Sequence, residues 1–373
     1  VGASTLVAIK LGQKDKESAT HVLGNVVMLN GIIGLVFMTV ALLFLDPILL
    51  FFGASPDTLP YAREYMQVIL AGNLVTHIYM GLNEVLRASG YPQKAMAATL
   101  TAVIVNCGLD ALFIMGFGWG IRGAALATIT AQIIALGFEL HHFSRKKSFL
   151  HFQKGIFGLK RQIVGGMLAI GLSPFLMNLC ACFVVILINK GLKEYDGDLA
   201  IGAFGIVNRI VFLFVMIVMG LNQGMQPIAG YNFGARLFDR LIQVLKYTVF
   251  CGVAVTTVGF LAGQIFPRSL ICLFTSDETL TNIAVEGLRI VLIFFPVVGF
   301  QMVTSSFFQS IGMAKKAIFL SLTRQLLFLI PSLLVFPSIW GTVGVWMSMP
   351  VADCIATIVA ACMLRWQLKR LKA

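Results

Sequence analysis

Asn106, Asp110 and Thr128 have the side-chain chemistry and the positions along the chain that suit a site for a small positive charge. Asp110 is a carboxylate inside an apolar stretch, with Asn106 four residues before it and Thr128 on the next apolar stretch. Residues i and i+4 share one face of a helix. If stretches 95–117 and 122–143 are helices joined near residue 119, Asp110 and Thr128 each lie nine residues from the turn. At 1.5 Å rise per residue they are level, roughly 13 Å below it. The turn near residue 91 places Asn73 level with Asp110 and His77 near the level of Asn106. Two adjacent helices would then present Asn73/His77 and Asn106/Asp110 to each other, with Thr128 and Gln132 on a third. A carboxylate ringed by neutral oxygens suits a small hard cation such as Na⁺, or a proton retained by desolvation. The competing reading is polar glue between helices for Asp110 and Asn106, and a satisfied packing residue for His77.

Asp353, near the middle of the stretch 342–365, is the second acid of this kind, and Arg209, preceded by Asn208, is its expected basic partner. This group reads equally as a structural ion pair or a substrate site. Stretch 162–189 offers Asn178 and Asn189 but no acid. Glu84 and Glu139 fall near stretch ends, where solvated or snorkelling acids are ordinary. The seven cysteines form no CxxC pair and read as small buried hydrophobes without a disulfide or metal site.

These residues are positioned by an unusual chain. Of 373 residues, 58% are hydrophobic and 12% charged, with a mean hydropathy of +0.90. A soluble domain is about 25% charged, so a water-soluble enzyme is excluded. Ten stretches approach the about 20 apolar residues that cross a bilayer: 22–45, 62–86, 95–117, 122–143, 162–189, 200–226, 243–266, 280–311, 316–338 and 342–365. None alternates with period two, which argues for helices rather than a β-barrel. Short connections such as Gly53-Ala54-Ser55-Pro56, Gly90-Tyr91-Pro92 and Gly118-Trp119-Gly120 join them. The expectation is an all-α, polytopic helical membrane protein.

The net charge of +12 raises the possibility of a nucleic-acid partner, which the distribution of the 28 Lys and Arg removes. Alternate connections and the tail hold 21 of them, including Lys10, Lys14, Lys16, Arg87, Lys94, the cluster from Arg145 to Arg161, Arg236, Lys316 and Arg324. The opposite side has five, Arg63, Arg122, Lys190, Lys193 and Arg268, and Arg209 and Arg289 lie within stretches. The positive-inside rule makes the richer side cytoplasmic.

The chain also repeats itself at an offset of about 222 residues. Leu11-Gly12 and Lys14 match Phe233-Gly234 and Arg236; Gly90, Lys94 and Ala95 match Gly312, Lys316 and Ala317; Gly120 and Gly123 match Gly341 and Gly344. The second copy opens near 162, which predicts that the first copy began about 60 residues ahead of residue 1. The chain then holds ten complete transmembrane helices plus a stub, from two parallel six-helix repeats. The expected organisation is an N-lobe over 1–143, a basic linker over 144–161 and a C-lobe over 162–373.

Gly2-Ala3-Ser4-Thr5 with Leu11-Gly12, Arg87-Ala88-Ser89-Gly90, Asn106-x-x-x-Asp110 and the run from Gly120 through Gly123 to Thr128 resemble a MATE (multidrug and toxic compound extrusion) exporter. Asn222-Gln223-Gly224-Met225-Gln226-Pro227, Gly234, Gly312 and Lys316-Ala317 extend the resemblance across the chain. It implies a monomeric inner-membrane antiporter with two lobes around a cleft and both termini of the full-length protein cytoplasmic. Entry of H⁺ or Na⁺ would drive cationic, amphipathic drugs out by alternating access, with no other cofactor. The family's N-lobe cation site maps onto Asn106, Asp110 and Thr128; its aspartate on the first helix has no counterpart here. A lipid-linked oligosaccharide flippase of similar architecture is the alternative, but it calls for basic residues inside the cleft, and the stretches offer only Arg209 and Arg289. A membrane prenyltransferase would need a DDxxD motif, which the sequence lacks.

Overall fold

In hydrocarbon, every backbone N–H and C=O must be bonded within its own segment, so long apolar stretches fold as helices. The structure, a computed structural model, describes residues 1–52 and 54–372, apart from the side chains of Asp196, Asp198 and Lys372. Gly53, of the expected turn Gly53-Ala54-Ser55-Pro56, and Ala373, the end of the expected C-lobe, lie outside the described residues.

Among the described residues all regular structure is helical. The first half contains α1 (Gly2–Gly12), α2 (Lys16–Leu43), α3 (Leu45–Phe51), α4 (Leu59–Ala71), α5 (Asn73–Ala88), α6 (Pro92–Asp110) and α7 (Gly120–Ser144). The second contains α8 (Arg161–Gly234), α9 (Phe238–Ile265), α10 (Pro267–Cys272), α11 (Glu278–Val291), α12 (Phe295–Ser310), α13 (Ala314–Leu322) and α14 (Ile330–Lys372). Two π-helical segments interrupt the series, Ala111–Gly116 after α6 and Thr323–Leu329 after α13. Helix starts follow local chemistry. The Asp15 carboxylate accepts the Ser18 N–H at 3.0 Å to cap α2, and Asp277 caps α11 through Leu280 in the same way.

Seven helices among the described residues are long and apolar enough to cross a membrane, eight if the pair α11/α12, bent by 57°, is one span. One of them, Ala314–Leu371, covers two expected stretches and breaks at Gly341, where φ is +57°. Likewise α8 turns at Gly197, with φ +72°. Stretch 62–86 is two shorter helices, α4 and α5, interrupted at Gly72.

The repeat is visible in the backbone. Helix α2 maps onto α9 at both ends (Lys16 to Phe238, Leu43 to Ile265), and α5 maps onto α12 (Asn73 to Phe295, Ala88 to Ser310). Equivalent helices also pack equivalently. Helix α2 lies on α5 through Gly34, and α9 lies on α12 through Gly252 and Gly299. A Cβ at Gly299 would come within 2.6 Å of Thr256 Oγ1. Small residues let backbones approach where lipid supplies no hydrophobic drive.

The chain forms two compact units, Val1–Leu168 and Ala169–Ala373. The first has a core around Val22, Leu23, Leu82, Leu86, Phe143 and Met167. Its basic segment 144–161 is tied to α2 by the fully buried Asn25, whose amide nitrogen donates to Gly158 O at 3.0 Å and Ile156 O at 3.3 Å. Its Oδ1 accepts the Lys160 N–H at 2.9 Å. The second unit is cored by Leu192, Ile210, Leu288, Phe307, Phe308 and Trp346. Large apolar side chains such as Val36, Phe37, Ile104 and Phe250 are exposed along the spans, as a lipid-facing surface requires. Cysteines share that surface. Cys180 is buried and Cys354 partly so, whereas Cys107, Cys182, Cys251, Cys272 and Cys362 are exposed, contrary to the expectation of burial.

Candidate functional site

Asp110 is the last residue of α6, at the point where the helix widens into its π-helical continuation. Such π segments frequently mark functional sites, because they displace the local register and free backbone groups. Asp110 Oδ1 is buried and has no hydrogen-bond partner among the described residues. One turn earlier, Asn106 Nδ2 reaches Thr128 Oγ1 on α7 at 3.4 Å, while the Thr128 hydroxyl donates to Ala124 O at 3.1 Å. Thr128 thus meets Asn106 rather than lying level with Asp110, since the π segment and the turn after it take up residues without matching rise. The arrangement places a buried carboxylate oxygen one helical turn from Asn106, which bonds Thr128. Among the described residues no three His, Cys, Asp or Glu side chains gather as a metal site. The chemistry available is one carboxylate with neutral oxygens.

Asn73 and His77 do not face this group. Asn73 Nδ2 donates to Gly34 O on α2 at 3.2 Å, and His77 O accepts Asn30 Nδ2 of α2 at 3.1 Å. A Cβ on Gly34 would lie 3.5 Å from both Cβ and Cδ2 of His77. The pair expected opposite Asn106 and Asp110 is therefore turned onto α2 and serves helix packing. Thr256, the repeat counterpart of Gly34, makes a similar bond, its hydroxyl donating to Pro296 O at 3.1 Å. The side of α5 that meets α7 presents Thr76, whose hydroxyl donates to Gln132 Oε1.

The C-lobe group also differs from expectation. The ion-pair partner of Asp353 is Arg324, in the second π-helical segment, and not Arg209. Arg209 and Asn208 are exposed. Asn178 is exposed too, its amide donating to Pro174 O of its own helix at 2.9 Å. Arg324, counted above with the basic connections, lies within the span Ala314–Leu371. The aspartate side chain is 8% exposed, so its charge needs a close partner.

One group of polar residues was not expected. Glu139, read as a solvated acid, is completely buried. Its Oε1 accepts Asn83 Nδ2 at 2.8 Å, and Asn83 also donates to Ala95 O at 3.0 Å. Arg87 donates to Asn83 Oδ1 at 3.1 Å and to Glu84 Oε1 at 3.3 Å, and Glu84 Oε2 accepts the Ser4 hydroxyl at 3.1 Å. A signal for this burial was present. Gly123, Ala127, Ala131 and Ala135 form a four-residue ladder of small side chains on α7 whose next rung is Glu139, and all five are buried. Such a stripe packs against neighbouring helices.

Comparisons with known proteins agree with this architecture. The sequence profile of the MatE family matches residues 1–112 and 170–334. The chain is 26% identical over 368 residues to the multidrug export protein MepA of Staphylococcus aureus (strain bovine RF122 / ET3-1), covering 96% of this chain and 79% of that protein. It is 28% identical over 364 residues to MepA of Staphylococcus haemolyticus (strain JCSC1435), with the same coverage of 96% and 79%. The fold is similar, with a TM-score of 0.94 and 25% identity, to the outward-facing conformation of a multidrug resistance MATE family transporter of the MOP superfamily. That similarity covers 100% of this chain and 84% of the other.

Proposed function

The chain belongs to the MatE family of membrane transporters, and on that premise we propose that it exports cationic, amphipathic small molecules across a bacterial inner membrane in exchange for H⁺ or Na⁺. The observation that carries the ion-coupling part is Asp110 Oδ1, a buried carboxylate oxygen at an α-to-π transition with no donor among the described residues. Burying such a group is costly unless it binds something positive. Asn106 and Thr128, joined at 3.4 Å, supply the neutral oxygens of the same site. The names of the MepA relatives support drug export as the outcome. In the export cycle a coupling ion occupies Asp110, the helices around it rearrange, and the drug is released outward. The breaks between α4 and α5 and between α11 and α12 support helix bending as the moving element.

The test is ethidium transport in vesicles carrying the protein, under an imposed pH or Na⁺ gradient, with Asp110→Asn beside wild type. Transport in wild type that falls at least about tenfold in the variant supports the reading; a factor of ten corresponds to about 1.4 kcal/mol. Transport unchanged in Asp110→Asn removes the site from the mechanism. The ion whose gradient drives wild-type transport identifies the coupling ion.

A further inference from the structure

We infer that Glu139, held by Asn83, is a second proton-binding site in the first unit, separate from the Asp110 cluster and close to its basic end. The small-residue ladder of α7 turns Glu139 inward, where none of it is exposed. One carboxyl oxygen accepts Asn83 Nδ2 at 2.8 Å; the other, Oε2, is buried without a donor among the described residues. An ionised carboxylate in that setting keeps one lone-pair face bare in an apolar medium, whereas the neutral acid carries no such charge. Binding a proton at Oε2 resolves the conflict by forming one O–H bond, with no co-reactant.

The surroundings favour a proton over a larger cation. Glu84, the acid of α5, is engaged by Arg87 and Ser4. The titratable and charged groups around Glu139 are Tyr79, Glu84 and Arg87 on α5, Lys94 on α6, and His141 and His142 on its own helix. Helix α4 also packs on α7, but its charged residues, Arg63 and Glu64, are on its first turns, at the far end. Lys94 Nζ sits 3.2 Å from His142 Nδ1 and over the Tyr91 ring, while His142 Nε2 is buried without a partner among the described residues. A second bare polar atom thus lies one turn from the first along α7.

The use of this site rests on the export reading. Thr76, Tyr79, Asn83 and Arg87 follow one another at helical spacing along α5, and three of them bond in turn to Gln132, Thr99 and Glu139. Thr128 and Glu139 are eleven residues apart on α7, roughly 16 Å of helix. Glu139 is then the group through which a proton taken up near Asp110 reaches the cytoplasmic side.

The test is infrared difference spectroscopy of the purified protein in lipid, reading the carbonyl stretch of protonated carboxylic acids near neutral pH in H₂O and D₂O. A buried-acid band present in wild type, retained in Asp110→Asn and lost in Glu139→Gln is the expected result. Glutamine preserves the acceptor for Asn83, so the fold is expected to survive. Should that variant not fold, Asn83→Ala serves, since the same band must persist and move upward on losing its hydrogen bond. The inference is overturned if wild type shows no such band, if the band survives in Glu139→Gln, or if Asn83→Ala leaves its frequency unchanged. Failure of the export reading is separate, because it shows only in Asp110-dependent transport.

Discussion

Lys14 and Arg236, equivalent residues of the two repeats, share a left-handed backbone, with φ of +61° and +58°. Each follows the end of a helix and closes it in the same way. Lys14 N donates to Leu11 O at 3.0 Å and Asp15 N to Lys10 O at 2.9 Å; Arg236 N donates to Phe233 O at 3.2 Å and Leu237 N to Asn232 O at 2.9 Å. This is the helix stop that ordinarily takes glycine, and Gly90 and Gly312 fill the corresponding role after α5 and α12, at φ +89° and +74°. A side chain in that conformation costs about 1–2 kcal/mol. Here the basic residues add their charge at a helix C-terminus. Lys14→Gly and Arg236→Gly are each expected to raise the melting temperature in detergent, since the strain relieved, about 1–2 kcal/mol, exceeds the entropic cost of glycine, roughly 0.5–1 kcal/mol. Unchanged or lower melting in both variants would contradict the strain assignment.

Asn25 joins the basic segment 144–161 to α2 through three backbone groups. Asn25→Ala leaves those groups without partners, at a cost of about 1–3 kcal/mol. Trypsin cleavage at Arg145, Lys146, Lys147 or Lys154 should become several-fold faster than in wild type. Equal cleavage rates would show that the segment is held by something else.

Arg324 and Asp353 make a partly buried pair. Removing one charge leaves the other uncompensated. Asp353→Leu or Arg324→Met alone should therefore destabilise the protein by about 3 kcal/mol, toward the lower end for buried pairs because the arginine is 31% exposed. The double variant should recover much of that loss. Recovered stability without recovered transport would assign the pair to the export mechanism; recovery of both would make it structural.

The cap on α2 responds to pH. Hydrogen bonds from Ser18, with help from Lys10, hold the Asp15 carboxyl below the usual carboxylate range. A lowered folded-state value means the contribution is complete above the unfolded value, about 3.9, and is lost as pH falls through the folded one. The melting difference between wild type and Asp15→Ala should be constant near neutrality and vanish in strong acid. A difference that grows on acidification would reverse the sign.

The repeat and the helical class were legible from the sequence, because they depend on spacing along the chain. Direction around a helix was not. Hairpin arithmetic placed Asn73 and His77 at the level of Asp110 and Asn106, but each residue turns a helix by about 100°, and the neighbour on that face proved to be α2. Counting Arg324 with the basic connections left Arg209 as the expected partner of Asp353, although Arg324 lies within the span Ala314–Leu371 and makes the pair. Glu139 was missed for another reason. Nearness to a helix end was taken as exposure, although the alanine ladder leading to it marked that face as interior.

Exchange of ion for drug at Asp110 can be read by counting the ions released when ethidium binds to the purified protein in weak buffer. Antiport through Asp110 requires ion and drug to oppose each other's binding, and that coupling is reciprocal. Wild type should release about one H⁺ or one Na⁺ for each ethidium bound, and Asp110→Asn should bind ethidium with no release. Equal release from wild type and Asp110→Asn would contradict the account.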